Sequence, residues 1–433
     1  MKKLKFFTGS LLTTLSALSF SAVAYADENP DWQKLEEEAE QSFLSGEKVK
    51  SERLFQEALA LTRGTSTSSQ SGSPAANQSA NQGANELAEA EILNQMTHLY
   101  LSEKRYSEAR QALDKALKIR REKLGAQSEK VAESLGNLAL IEHRDGKDAL
   151  AEKYYKEAIA IKTAAKSSSL AVTLTNLANL YSDKKRFDEA KPLYEQALAL
   201  DKKEFGENHI EVARDLFNLG GMYYHHNYFK EALAYFEQAL SAYKKLDNVG
   251  GQVKCHHYIG LCLFADNQHE KAGQSYAEAL GLQESQKGKN HPDTFVHKLN
   301  MAKSFDFAGK SDRAEEIYRQ SLQSAGEVQK EAKLKFVECS IEYAHFLRRH
   351  NRPNEAEKIL EAALTSYETL NSEERRKLYE LPRVYSDLLR ELKKDEAAHE
   401  MAHRHLHVYG QSHKKTAPAA NKTSTSKSDR KVP

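Results

Sequence analysis

Residues 172–200 read VTLTNLANLYSDKKRFDEAKPLYEQALAL, and this stretch decides the fold. Leu174, Leu177, Ala178 and Tyr181 fall at i, i+3, i+4 and i+7, the spacing of one helical face, and Ala190, Tyr194, Ala197 and Leu198 form a second such face. Asp183 to Arg186 breaks the pattern and predicts a tight turn between two amphipathic helices. Neither helix can bury its apolar stripe alone. Copies stacked on one another would bury a continuous core, so the first question is whether the stretch repeats.

It does. A small residue followed four positions later by a large apolar one occurs at Ser51/Phe55, Ala109/Leu113, Ala151/Tyr155, Ala190/Tyr194, Ala232/Phe236, Ala272/Tyr276, Ala314/Tyr318 and Ala356/Leu360. Successive first members are 58, 42, 39, 42, 40, 42 and 42 residues apart, and a ninth, degenerate unit is placed at Ala398. A second set of small residues, Ala139, Ala178, Gly220, Gly260, Ala302 and Ala344, stands twelve positions upstream on the first helices. Where two helices cross closely, anything larger than a methyl group would force them apart, so these positions predict the contact within each hairpin. Pro192 is expected about three residues into its helix, where its missing N–H has no intrahelical partner.

The long first interval has a visible cause. The run GTSTSSQSGSPAANQSANQGAN, residues 64–85, carries no charge and little apolar surface, and predicts an insertion without fixed structure. The N-terminus reads as a signal peptide over 1–26: Lys2, Lys3 and Lys5 form a basic start, Phe6 to Val23 is largely apolar, and Ala24-Tyr25-Ala26 supplies a cleavage site. An uncleaved anchor is the competing reading, which the serine and threonine content disfavours. Residues 27–63 then form an N-terminal repeat-like unit, 86–409 the main array, and 410–433 a basic tail expected to lack structure. Cys255 and Cys262 are seven residues apart on one predicted helix, about 10 Å by the helical rise, too far for a mutual disulfide. With Lys plus Arg at 63 and Asp plus Glu at 62, no global field favours nucleic acid or an acidic membrane. No integral membrane segment is expected after cleavage.

The offsets L-x2-[AG]-x2-Y and A-x3-[YF]-x2-A resemble the tetratricopeptide repeat. The 42-residue period, with joints such as KKEFGENHIEVA and SQKGKNHPDTFV, resembles the subclass found in kinesin light chains. The resemblance implies an all-α, right-handed superhelix of about nine helix-turn-helix repeats, an α-solenoid whose first helices line a concave groove. It also implies a protein or peptide partner and no catalysis or cofactor. The 34-residue pattern's late proline and early tryptophan are missing. The single tryptophan, Trp32, opens the first unit, where a cap is expected.

Two constellations are candidates for function. Asn137, Asn176, Asn218 and Asn300 occupy one repeat position, which the resemblance places in the groove. A primary amide both donates and accepts, so a row of them could hold an extended peptide by its backbone. Contacts within or between repeats are the competing use. Around the row, the expected groove positions are Arg144, Asn179, Arg214, Tyr224, His225, Lys254, His257 and Lys303. Four are basic and two are titratable, which favours an acidic peptide, and a solvated helix face is the alternative.

The second constellation is His399-Glu400-Met401-Ala402-His403, a formal HExxH, with His407 a further turn on. The third metzincin ligand is replaced by Tyr409 and no glutamate follows Glu400, so catalysis is not expected. Metal binding by His399, His403 and His407 is retained as a rival function for an envelope protein. A spacer that self-associates through its end units is a third reading, and the sequence leaves the oligomeric state open.

Overall fold

The computed structural model describes residues 30–64, 75–327 and 331–403. The expected signal peptide, basic tail and His407 lie outside the described residues. The chain divides into two compact units, 1–246 and 247–433.

The first unit is a stack of five hairpins: α1 (Pro30–Leu44) with α2 (Lys48–Gly64), α3 (Ala75–Ser102) with α4 (Tyr106–Leu124), α5 (Glu129–Arg144) with α6 (Asp148–Ala165), α7 (Leu170–Asp183) with α8 (Phe187–Phe205), and α9 (Ile210–His225) with α10 (Phe229–Lys245). The second contains α11 (Val249–Ala265) with α12 (His269–Lys287), α13 (Thr294–Phe307) with α14 (Ser311–Glu327), and α15 (Glu331–Arg349) with α16 (Pro353–Glu368). It ends in the short α17 (Ser372–Lys377) and α18 (Glu380–Glu391), the latter followed by helical residues 395–403. No strand occurs among the described residues. Among the described residues each unit is an α-solenoid, of five hairpins in the first and four in the second, as the repeat spacing predicts.

The small-plus-large pairs do what their spacing requires. Ser51, Ala109, Ala151, Ala190, Ala232, Ala272, Ala314 and Ala356 are all 0% exposed, and no large partner exceeds 2%. In unit 1 the first helices α3 and α5, α5 and α7, and α7 and α9 also touch one another, giving a face built from first helices alone.

Five residues before the small residue, every hairpin turn adopts a left-handed backbone, at Gly46, Lys104, Gly146, Lys185, Asn227, Asn267, Gly309, Asn351 and Lys393. The left-handed residue lets the chain close the first helix and turn back, as where Lys147 N–H donates to Glu142 O at 2.7 Å. The next residue is frequently a cation that clasps the previous repeat. Arg105 meets Glu52, Arg186 meets Glu152, Arg352 meets Glu315 and Lys394 meets Glu357, each at 2.7–2.8 Å. Arg186 also lies over the Tyr181 ring at 4.0 Å. Paired arginine holds the Glu152 and Glu315 carboxyls down at about 2.

Two local expectations are corrected. Helix α3 begins at Ala75, so residues 75–85 of the segment expected to lack structure are helical, and only 65–74 fall outside the described residues. Once Leu87 to Leu101 nucleate a helix, extending it through alanine, asparagine and glutamine is far easier than starting one. Pro192 stands inside α8, six residues in rather than three, because the helix starts at Phe187. Pro192 and Asp188, whose carbonyl loses its bond, are both exposed, so that carbonyl lies on the solvent side of the helix.

Candidate functional site

In unit 1 Asn137, Asn176 and Asn218 stand on the successive first helices α5, α7 and α9 and are unevenly committed. Asn137 is half-buried on α5, and its amide donates to Asn94 Oδ1 of α3 at 3.1 Å. Asn94, 3% exposed, donates in turn to Glu133 Oε1 at 2.9 Å. The row therefore extends one repeat further than the 42-residue register shows, because Asn94 lies 43 residues before Asn137. Asn176 on α7 and Asn218 on α9 are half-buried, with no side-chain hydrogen bond among the described residues. Asn179, expected beside the row, is committed within its own repeat: its carbonyl accepts from the buried Tyr194 hydroxyl of α8, which fixes the hairpin.

The cations expected around the row are mostly spent. Arg214 is paired with Glu211 one turn earlier on α9, so it offers no net charge. Arg144 is half-buried, and desolvation works against its charge. Tyr224 turns its ring edge to Phe229, and His225 is exposed at the end of α9. Beside Asn137 stands a network that sequence reasoning missed, in which Lys130 bonds Glu91 and Glu133, both at 3.2 Å, and Arg120 bonds Glu91 at 2.6 Å. These four residues come from three helices, and only their stacking brings them together.

In unit 2, Asn300 is half-buried on α13 and Lys254 is exposed on α11. Neither Lys254 nor Lys303 forms an ion pair among the described residues. Lys303 Nζ stands 6.0 Å from the Phe264 ring. Phe264 meets Phe307 edge-on at 5.4 Å, and the Arg349 guanidinium lies 5.3 Å from the Phe307 ring. This aromatic and cationic line crosses three first helices, α11, α13 and α15. Phe307 remains 49% exposed, which leaves ring surface for a ligand.

His257 is not a groove cation. It packs against His297 at 5.3 Å and Tyr276 at 5.6 Å, and burial pushes both histidines down to about 4. Each is neutral in the folded unit but takes a proton near its ordinary 6.5 once unfolded. Their contribution is therefore complete above about pH 6.5 and is lost as pH falls toward 4. Hydrogen exchange of α11 and α13, corrected for intrinsic rates, is expected to accelerate steadily from pH 7 to 5. His297→Gln is expected to flatten that dependence.

Of the second constellation, His399 and His403 are exposed on the helical residues 395–403, one turn apart. No group of three His, Cys, Asp or Glu side chains placed to hold a metal ion occurs among the described residues. The three cysteines are free and buried, with the Cys262 and Cys339 thiols pushed up to about 12 by burial. No described helix is long and apolar enough to cross a membrane.

A family model described as Tetratricopeptide repeat matches residues 88–164, 169–245 and 255–327, more than half of the chain. A second, Tetratrico peptide repeat, matches 296–379. No curated protein matches. Among solved structures, the apo form of RapI is 15% identical, covers 88% of this chain and 98% of its own, and superposes with a TM-score of 0.59. The signal transduction ATPase with a tetratricopeptide repeat sensor from Pyrococcus horikoshii is 15% identical over 66% of this chain and 40% of its own, with a TM-score of 0.51. BtubC from P. vanneervenii is 21% identical, covering 52% of this chain and 91% of its own, with a TM-score of 0.46. At these identities the likeness is one of fold.

Proposed function

Because the chain belongs to the tetratricopeptide repeat family, we propose that it is an exported, non-catalytic scaffold that holds an extended peptide segment of a partner protein along its first-helix faces. The observation that carries this reading is the asparagine row of unit 1. Its first two members are joined amide to amide, and the next two, Asn176 and Asn218, keep amides without side-chain partners among the described residues. Such amides match the alternating N–H and C=O groups of an extended backbone. In unit 2, Lys254 and Lys303 favour acidic side chains, and the exposed ring of Phe307 favours an apolar neighbour. Export rests on the basic and apolar residues 1–26 and the Ala24-Tyr25-Ala26 site.

The test is quantitative capture of envelope proteins on the purified chain, repeated with Asn176→Ala/Asn218→Ala. Each lost hydrogen bond is worth about 0.5–1.5 kcal/mol, so the double variant is expected to bind its main partner about tenfold more weakly or worse, with an unchanged melting temperature. Equal capture by a folded double variant would overturn the reading.

A further inference from the structure

Consecutive hairpins of unit 1 meet at a recurring pair of buried positions. One lies eleven residues after the small residue of a second helix, the other five before the small residue of the next first helix. At the α4–α5 joint these are Arg120 and Ser134, bonded at 2.8 Å. At the α6–α7 joint they are Lys162 and Thr173, bonded at 2.9 Å. In both, a cation donates to a hydroxyl. At the α8–α9 joint they are two acids, Asp201 and Asp215, each 5% exposed.

No cation among the described residues bonds to this pair. From α7 the Thr175 hydroxyl donates to Asp215 Oδ1 at 3.3 Å. The remaining charged and titratable neighbours are Glu204 and Tyr194 on α8 and Glu211 on α9, whose charge Arg214 meets. Helix α10 packs on α9 through Phe236, against Phe217 and Gly220. Asp215 Oδ2 is buried and no donor reaches it among the described residues. Two bare carboxylates in this setting would repel each other without water to screen them. One proton between them converts the repulsion into a charge-assisted O–H···O⁻ bond.

We propose that a single proton shared by Asp201 and Asp215 closes the α8–α9 joint, and that its loss as pH rises loosens the α7–α9 stretch carrying Asn176 and Asn218. The consequence for binding rests on the first-helix face being the binding surface; the proton itself can be tested without any partner.

Burial and each other's charge push both carboxyls upward, Asp215 to about 8. The unfolded chain releases these protons near 3.9, so the joint is fully stabilised at acid pH and loses that contribution as pH climbs toward 8. For one proton, the constant for opening the joint rises by up to tenfold per pH unit.

The experiment is hydrogen exchange of the full chain from pH 5 to 8, corrected for intrinsic rates, read at α8 and α9. The wild type is expected to open progressively, by up to tenfold per unit. In Asp215→Asn and in Asp201→Asn the new amide donates to the remaining carboxylate without a titratable proton. Their protection is expected to stay flat and to match or exceed the wild type at pH 8. A flat wild-type profile, or a wild-type slope retained in the Asn variants, would overturn the proposal. If one variant does not fold, the other serves. A carboxyl ¹³C titration of the wild type gives a separate reading, and two aspartates titrating near 3.9 would also overturn it. Asn176→Ala/Asn218→Ala leaves both carboxyls in place, so its exchange profile should keep the wild-type slope whether or not it binds a peptide.

Discussion

Gly220→Leu is expected to remove the cooperative unfolding transition of unit 1, and even Gly220→Ala is expected to destabilise it by about 1–3 kcal/mol. A Cβ built at Gly220 would stand 2.8 Å from two carbons of the Phe236 ring. That ring is 0% exposed and packed on Phe217 at 5.2 Å, so it cannot swing aside. Alanine would gain about 1 kcal/mol of helix propensity over glycine, which opposes the collision without cancelling it. Gly136, also helical but with nothing within 4 Å of its added Cβ, separates the two effects. Gly136→Ala is expected to stabilise by about 0.5–1 kcal/mol. Thermal and denaturant unfolding of the two alanine variants should therefore shift in opposite directions. Pairing Gly220→Ala with Phe236→Leu should cost less than the two single changes together, because the smaller side chain admits the new methyl.

The contact at Gly220 was legible in the sequence because its rule is local. A small residue on the first helix and a small-plus-large pair on the second recur at fixed offsets, and periodicity alone finds them. What each polar residue does with its hydrogen bonds is not local. Asn176 and Asn179 sit on one helix three residues apart, yet only Asn179 finds Tyr194, because the path of α8 decides which amide it reaches. Arg214 and His257 have basic side chains in the sequence. Glu211 neutralises one, and burial against His297 keeps the other uncharged. A formal count of groove cations therefore overstates the positive charge. The left-handed turn position was half legible: Gly146 and Gly309 announce it, whereas Lys104, Lys185 and Lys393 take the same conformation against their preference, and the clasping cation that follows each gives a reason to tolerate it.

The two units also make opposite demands on pH, for reasons composition hides. The buried bases His257 and His297 are best served by neutral conditions, while the buried acids Asp201 and Asp215 hold together best in acid. Exchange measured unit by unit should show the opposing slopes, while a single global melting curve averages them. This follows from filling one repeat position with different chemistry in different repeats, a freedom that stacked arrays have because each joint depends chiefly on its neighbours.

The same positional logic makes Arg120 the most consequential single charge in unit 1. Its side chain is 2% exposed and bonds three groups on two helices: Glu91 Oε2 of α3 at 2.6 Å, and the Ser134 hydroxyl and Lys130 carbonyl of α5 at 2.8 and 3.0 Å. Arg120→Ala opens a cavity, leaves the buried Ser134 hydroxyl without this donor, and strips one cation from Glu91. Breaking one side of such a buried pair typically costs about 3–5 kcal/mol. Lys130 stays beside Glu91 at 3.2 Å, so the loss is expected toward the lower end of that range. Removing Lys130 as well should then cost more than the sum of the single changes, since Glu91 would lose both cations. Arg120→Lys imitates the next joint, where Lys162 donates to Thr173 but burial pulls its ammonium down to about 8. A lysine at 120 should retain part of the stability at pH 6 and less at pH 9, where the arginine would not change. Denaturant unfolding of the three variants at these two pH values checks the ranking. A lysine variant as stable as wild type at pH 9 would show that the guanidinium's second and third bonds contribute nothing to the joint.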